Sequence, residues 1–219
     1  MAEKILYIIA DPNNRENSFT SAIGRAFLDE YRATSLESDI VEIDIYQMDV
    51  PFIDLDVLKA REKMQLDETS DTLTDNEREK VSTIHDLRKQ FLSADKYIFV
   101  TPLWNWTLPP KLKAYIDIIL MNEKAFDCHE GELADLLKGK KAIHIQARCG
   151  LTLEGSDAEV EFGDRYLRFI MNLMGVHMSN SIIIEGESYL PGEVNDGILA
   201  AVEQARESGR EFAEENSEG

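Results

Sequence analysis

Apolar residues gather into short runs, and the longer segments between them carry helical spacing. Three runs, at residues 5–9, 97–100 and 143–145, are nearly continuous, as strands buried on both faces of a parallel sheet are. A fourth, 40–45, alternates apolar and polar as an edge strand does, and a fifth covers 181–185. Ile23, Ala26, Phe27 and Tyr31 share one face of a helix. Thr74-Asp75-Asn76-Glu77 is a capping-box sequence, and the helix it opens carries Val81, Ile84, Leu87 and Phe91 on its apolar side. Pro109-Pro110 starts another helix, through Leu112, Tyr115, Ile116, Ile119 and Leu120. Leu167, Ile170, Met171 and Met174 line a fourth, which Gly175 stops. The pattern predicts a last helix over 194–212 with Ile198 and Val202 inward. Residues 52–74 are acidic and weakly patterned, a surface excursion with a short helix around 57–63.

The element order is therefore βαβ(αα)βαβαβα. Alternation of this kind predicts an α/β fold: a parallel sheet with helices on both faces, here with five strands. The spacing and the 219-residue length favour a single domain over 1–213, followed by a flexible acidic tail, 214–219.

Charge narrows the set of partners. Basic residues number 23 and acidic ones 42, for a formal net charge of −19. Nucleic acid and anionic membrane surfaces repel such a chain, and no Lys/Arg-rich run offers a local exception. No stretch approaches the apolar length of a membrane span, and no signal-peptide pattern is visible. Two cysteines, Cys128 and Cys149, are too few for a disulfide scaffold. These features predict a soluble cytoplasmic protein.

Ligands of doubly wound sheets sit outside the carboxyl ends of the strands, where strand order reverses. That rule selects three loops. The first runs from Asp11 through Ser18, Phe19 and Thr20 into a helix whose free N–H groups, with the two hydroxyls, suit a phosphate; an ordinary N-cap is the competing reading. It carries neither a GxGxxG nor a GxxxxGK[ST] pattern. The second, Pro102-Leu103-Trp104-Asn105-Trp106, holds both tryptophans of the chain beside an amide, as a planar heteroaromatic ligand requires. The third, Ala147-Arg148-Cys149-Gly150, can turn backbone N–H groups toward an electron-rich edge, or can be a plain strand-to-helix turn.

At these loops the chain resembles the FMN-dependent azoreductases, a branch of the flavodoxin-like NAD(P)H:quinone oxidoreductases. Ser18-Phe19-Thr20 is similar to the family's Ser-x-Ser pair, and Pro102-Leu103-Trp104-Asn105-Trp106 to its Pro-Met-Tyr-Asn-Phe motif. Leu112-Lys113-Ala114-Tyr115-Ile116-Asp117 matches Leu-Lys-x-Tyr-x-Asp, and Gly139-Lys140-Lys141-Ala142 with Ala147-Arg148-Cys149-Gly150 resembles the Gly-Lys-Lys-Ala lead and Ser-Arg-Gly-Gly. The resemblance spans 4–205. Asp11 stands where the family usually has Ser, Ala147 replaces the Ser of Ser-Arg-Gly-Gly and Cys149 one of its glycines, and Leu151 and Thr152 occupy positions where several relatives carry His.

The resemblance implies a flavodoxin-like, five-stranded fold binding FMN. It implies NADH or NADPH as electron donor, a quinone or azo compound as two-electron acceptor in a ping-pong cycle, and a homodimer with the active site at the interface. Ser18 and Thr20 would then meet the FMN phosphate, with Asp11 and Phe19 in the same turn. Residues Pro102 to Trp106 would border the flavin, and the backbone from Ala147 to Gly150 would face N1/O2. No side chain is expected as general acid. Other chemistries are weaker: Cys128-His129-Glu130 is too short a cluster for a metal site, and Cys149 has no histidine placed beside it. His144, His85 and His177 read as core or edge histidines. Two other readings stay open, a flavodoxin-type electron carrier and a flavin-less interaction domain.

Overall fold

A computed structural model of the chain describes residues 2–13, 18–66, 72–121, 137–149, 161–186 and 196–215. The described elements are β1 (Lys4–Ile9), α1 (Phe19–Thr34), β2 (Asp39–Asp44), α2 (Leu55–Gln65), α3 (Asp75–Leu92) and β3 (Lys96–Pro102). They continue with α4 (Pro110–Leu120), β4 (Lys141–Cys149), α5 (Gly163–Leu173), β5 (His177–Met178), β6 (Ile182–Gly186) and α6 (Asp196–Glu214). Every strand pairing is parallel, in the order β2-β1-β3-β4, with β5 and β6 both on the far edge of β4.

β5 and β6 are one edge strand carrying a bulge. Lys141 pairs with His177, an offset of 36, whereas Ile145 pairs with Ile182, an offset of 37, so one extra residue enters between them. Ser179 N–H still bonds the Ala142 carbonyl (2.8 Å), and beyond it the Arg168 guanidinium of α5 braces the bulge, donating to the carbonyls of Met178 (3.1 Å) and Ser179 (3.3 Å) and to Ser181 Oγ (2.7 Å). The predicted fifth strand is therefore present, with a break that apolar patterning does not mark.

Strand alternation sends Leu6, Ile8, Tyr97 and Phe99 into a core shared with α3, α4 and α5, and Ile5, Tyr7, Ile98 and Val100 into a second core under α1 and α6. The helices start where the sequence signals them: Ser18 caps α1, the Thr74–Glu77 capping box forms reciprocally on α3, and Pro110 opens α4. α5 stops at Gly175, whose φ of 87° only glycine adopts easily. The inward face of α6 is Ala201, Ala205 and Phe212, with Ile198 and Val202 half-buried beside it. His85 is exposed on α3 and His177 is exposed on the edge strand, so of the three histidines only His144 is a core residue.

The amino end of the sheet is closed by an unusual group. Lys96 is fully buried, and its ammonium donates to the Phe212 carbonyl (2.9 Å), pairs with Glu3 (3.0 Å) and lies over the rings of Tyr31 and Phe212. Burial lowers its pKa, and the Glu3 carboxylate opposes that shift. α6 is thereby tied to the sheet through its last turn. The helix runs on to Glu214, and the Glu215 carboxylate pairs with Lys141 (3.3 Å); 216–219 lie outside the described residues.

Candidate functional site

Strand order reverses between β1 and β3, because the chain leaves β1 for β2 on one side and returns to β3 on the other. The tips of β1, β3 and β4 therefore lie side by side, joined by Ala10 N–H to the Val100 carbonyl (2.9 Å) and Leu103 N–H to the Ala147 carbonyl (2.9 Å). The three loops singled out by sequence meet at this edge. Residues 14–17, Gly150 and the Cys128-His129-Glu130 cluster lie outside the described residues.

In the first loop Asp11 is only 3% exposed. Its carboxylate accepts the Ser18 hydroxyl proton and the Asn13 N–H (3.0 Å). Ser18 in turn accepts the Ser21 N–H (3.2 Å), which makes it the N-cap of α1. The first turn of α1 contains no acidic residue, Phe19 is half-buried, and Thr20 and Ser21 are buried. The Ser21 hydroxyl has no partner among the described residues.

The second loop is a two-residue hairpin. Trp104 and Thr107 exchange backbone hydrogen bonds (3.0 and 2.9 Å), and the residues between them, Asn105 and Trp106, have φ of 45° and 67°. Positive φ at both central positions defines a type I′ turn. Glycine and asparagine are the usual occupants, so tryptophan there is strained, and strain of this kind concentrates at ligand sites. Pro102, Leu103 and Trp104 are half-buried, whereas Asn105 and Trp106 project into solvent. The Trp106 carbonyl accepts the Phe162 N–H (2.8 Å), which ties the turn to the start of α5.

Tyr46, which patterning does not single out, bridges these two loops. Its ring meets Trp104 edge-on, with centroids 6.1 Å apart. Burial and then the nearby Asp11 charge push its phenol above the usual range. The hydroxyl is buried without a partner among the described residues. Lys111 of α4 fixes the segment by donating to the Tyr46 and Met48 carbonyls (3.3 and 2.7 Å).

Under the third loop a polar column fills the α5 side of β4. Ala147 is buried, and the Arg148 side chain turns inward rather than toward the loop: Nε donates to Gln146 Oε1 (2.8 Å), and the guanidinium lies 3.6 Å from Glu161. Glu161 also accepts the Asp164 N–H (2.9 Å). One step down, His144 bonds Thr101 Oγ1 through Nε2 and Asp164 through Nδ1, both at 2.9 Å. Asp164 accepts from Ser181 Oγ (2.5 Å) and faces Arg168 (3.6 Å). Burial alone would raise the Asp164 carboxyl, but the hydrogen bonds from His144 and Ser181 and the charges of His144 and Arg168 hold it at about 2. Gly163 makes this packing possible, since a Cβ there would sit 2.6 Å from Gln146 Nε2 and 2.8 Å from Glu161 Oε1. His144, expected as a satisfied core histidine, is one.

Beside the hairpin, a hollow of about 740 Å³ opens between α4 and α5, lined by Trp104, Leu108, Lys113, Phe162, Tyr166 and Phe169. Phe162 and Phe169 are 52% and 63% exposed. Apolar exposure of this size beside a site marks a surface that binds something. Sequence spacing did not reveal it, because these side chains come together only when α5 lies against α4.

The sequence profile of a family described as having a flavodoxin-like fold matches residues 3–208. The chain is 40% identical over 209 residues to the FMN-dependent NADH:quinone oxidoreductase of Bacillus velezensis, covering 95% of this chain and 99% of that one. It is 42% identical over 207 residues to FMN-dependent NADH:quinone oxidoreductase 3 of Halalkalibacterium halodurans, covering 93% and 98%. Among solved structures, an azoreductase of Bacillus anthracis superposes with a TM-score of 0.81 at 30% identity, over 96% of this chain and 100% of that one. An FMN-dependent NADH-azoreductase of the same species, in complex with FMN, superposes with a TM-score of 0.82 at 28% identity, over 96% and 99%. The chain thus belongs to the flavodoxin-like oxidoreductase family that contains the FMN-dependent azoreductases and NADH:quinone oxidoreductases.

Proposed function

We propose that this chain is an FMN-dependent NADH:quinone oxidoreductase, with azo compounds as a second class of acceptor and a ping-pong order of substrates. The observation that carries the reading is the strained Trp104–Thr107 turn at the switch point of a flavodoxin-like sheet. Its surroundings fit a flavin. Three buried polar atoms around the loops, Ser21 Oγ, Tyr46 Oη and Gln146 Nε2, have no partner among the described residues, as a site made for a polar heterocycle with a phosphate tail requires. Asp11 is the one element that fits less well.

FMN, when bound, would supply two-electron redox chemistry between NADH and the acceptor. The protein's part is to hold and orient. Thr20, Ser21 and the free N–H groups of α1 would meet the phosphate, with Asp11, Ser18 and Phe19 shaping the turn. Pro102, Leu103, Trp104, Asn105 and Trp106 would border the ring system, and the strained hairpin would aim backbone N–H groups at it. The backbone from Ala147 through Arg148 and Cys149 to Gly150 would face the N1/O2 edge, where negative charge grows on reduction. The Gln146–Arg148–Glu161 group would hold that backbone in place. NADPH is an alternative donor.

The exposed Phe162, Phe169 and Trp106 beside the site support a homodimer that covers the hollow and completes the pocket. No described helix is long and apolar enough to cross a membrane, in keeping with a cytoplasmic enzyme. The test is to purify the chain, record its visible spectrum and molar mass in solution, and follow NADH and NADPH oxidation with a quinone and with an azo dye. A yellow dimer that oxidises NADH only when an acceptor is present supports the reading. A colourless protein that stays colourless with FMN refutes it, and a yellow protein that NADH does not bleach is a carrier instead.

A further inference from the structure

The Asp11 carboxylate sits where a phosphate-binding turn would be expected to leave its hydroxyls free. Ser18 has one hydroxyl proton, and Asp11 holds it; the Ser18 oxygen is also occupied, by the Ser21 N–H at 3.2 Å. Ser18 therefore has no donor left for an incoming anion. The hydroxyls that remain at the start of α1 belong to Thr20 and Ser21, both buried, and Ser21 Oγ has no partner among the described residues.

Among the described residues, little cancels the Asp11 charge. No described lysine or arginine pairs with it, and the Tyr46 phenol is close enough to feel its field. On the β2 side a hollow of about 550 Å³ is lined by Asp11, Asn13, Glu42 and Asp44; of these, Glu42 is neutralised by Arg25 (3.0 Å) and Arg32 (2.5 Å). A phosphate monoester carries about −1.5 to −2 charges near neutral pH, and a carboxylate beside it disfavours that charge.

We propose that Asp11 is a charge filter at the phosphate end of the flavin site, lowering affinity for a phosphate-bearing flavin relative to the same flavin without phosphate and leaving Thr20 and Ser21, not Ser18, as the hydroxyls that meet the phosphate. The proposal rests on the FMN reading above and concerns which residues set affinity within it. The consequence is a weakly held cofactor: this chain exchanges FMN more readily than a relative with an uncharged residue at the same place.

The test is equilibrium titration of the flavin-stripped full-length chain with FMN and, separately, riboflavin, read by quenching of flavin fluorescence. Asp11→Asn keeps the shape and the acceptor for Asn13 N–H while removing the charge and freeing Ser18. It is expected to tighten FMN on the order of tenfold and to leave riboflavin within about twofold. Ser18→Ala is expected to be nearly neutral toward FMN in the wild-type background and to cost on the order of tenfold in the Asp11→Asn background. Asp11→Ser serves in place of Asp11→Asn if thermal melts show the latter misfolded.

An Asp11 substitution that leaves FMN affinity unchanged, weakens it, or tightens both flavins equally overturns the filter while leaving the flavin site standing. A Ser18→Ala loss of tenfold in the wild type overturns the assignment of Ser18. Failure of both the wild type and Asp11→Asn to bind either flavin overturns the FMN reading itself, and the filter with it.

Discussion

Replacing Asp164 with Asn tests whether the buried polar column holds α5 against the sheet. The Asp164 carboxyl lies at about 2, against 3.8 ordinarily, and its side chain is only 16% exposed. A difference approaching two pKa units, at 1.36 kcal/mol each, corresponds to about 2 kcal/mol of folding stability carried by the ionised form. The folded-state value is depressed, so this contribution is present above the ordinary carboxylate range and disappears as pH falls through about 2. Urea unfolding of the apo-protein followed by tryptophan fluorescence gives the measurement, because Trp104 and Trp106 adjoin the start of α5. Asp164→Asn is expected to lose about 2 kcal/mol at pH 7, a drop in Tm of about 4–8 °C for a chain of this size. The gap between the two proteins should narrow as pH falls from 4 toward 2. A gap under about 0.5 kcal/mol at pH 7, or one that holds constant down to pH 2, would show that the His144, Ser181 and Arg168 contacts do not stabilise the charged form.

Gly163→Ala pushes a methyl into Gln146 and Glu161, so it is expected to cost about 1–3 kcal/mol and to lower flavin affinity, checked by thermal melts and flavin titration. Lys96→Ala leaves Glu3 without its buried partner and removes the tie to the Phe212 carbonyl. A loss of about 3 kcal/mol or more is expected, with faster amide exchange in the last turns of α6 by hydrogen-exchange mass spectrometry. Trp106→Gly relieves the backbone at φ 67° and is expected to gain about 0.5–1 kcal/mol in the apo-protein while slowing turnover, measured as Tm against quinone-reductase rate.

Most of the fold was legible in the sequence because its signals are local. Short continuous apolar runs fit strands covered on both faces, and the capping box at Thr74–Glu77 and the Pro109-Pro110 start each act within one turn of helix. The edge-strand bulge was not legible, since the contacts that brace it come from Arg168, a residue on another element. The site divides in the same way. The three loops follow from topology, and the tryptophan-bearing one from composition. The commitment of Ser18 to Asp11, the inward turn of Arg148 and the bridging position of Tyr46 depend on side-chain contacts that spacing does not encode. The apolar hollow was hidden because Phe162 and Phe169 read equally well as helix-face residues until α4 is seen beside them.

In the proposed cycle a flavin held where the tips of β1, β3 and β4 meet relays electrons between two substrates that never meet. Anaerobic stopped-flow mixing tests it directly: the FMN-loaded protein is mixed with NADH alone, and the product is then mixed with a quinone. The flavin absorbance should be lost fully in the first mix, return in the second, and both rates should match or exceed steady-state turnover. If NADH bleaches the flavin only with the quinone already present, or not at all, the proposed alternation is wrong.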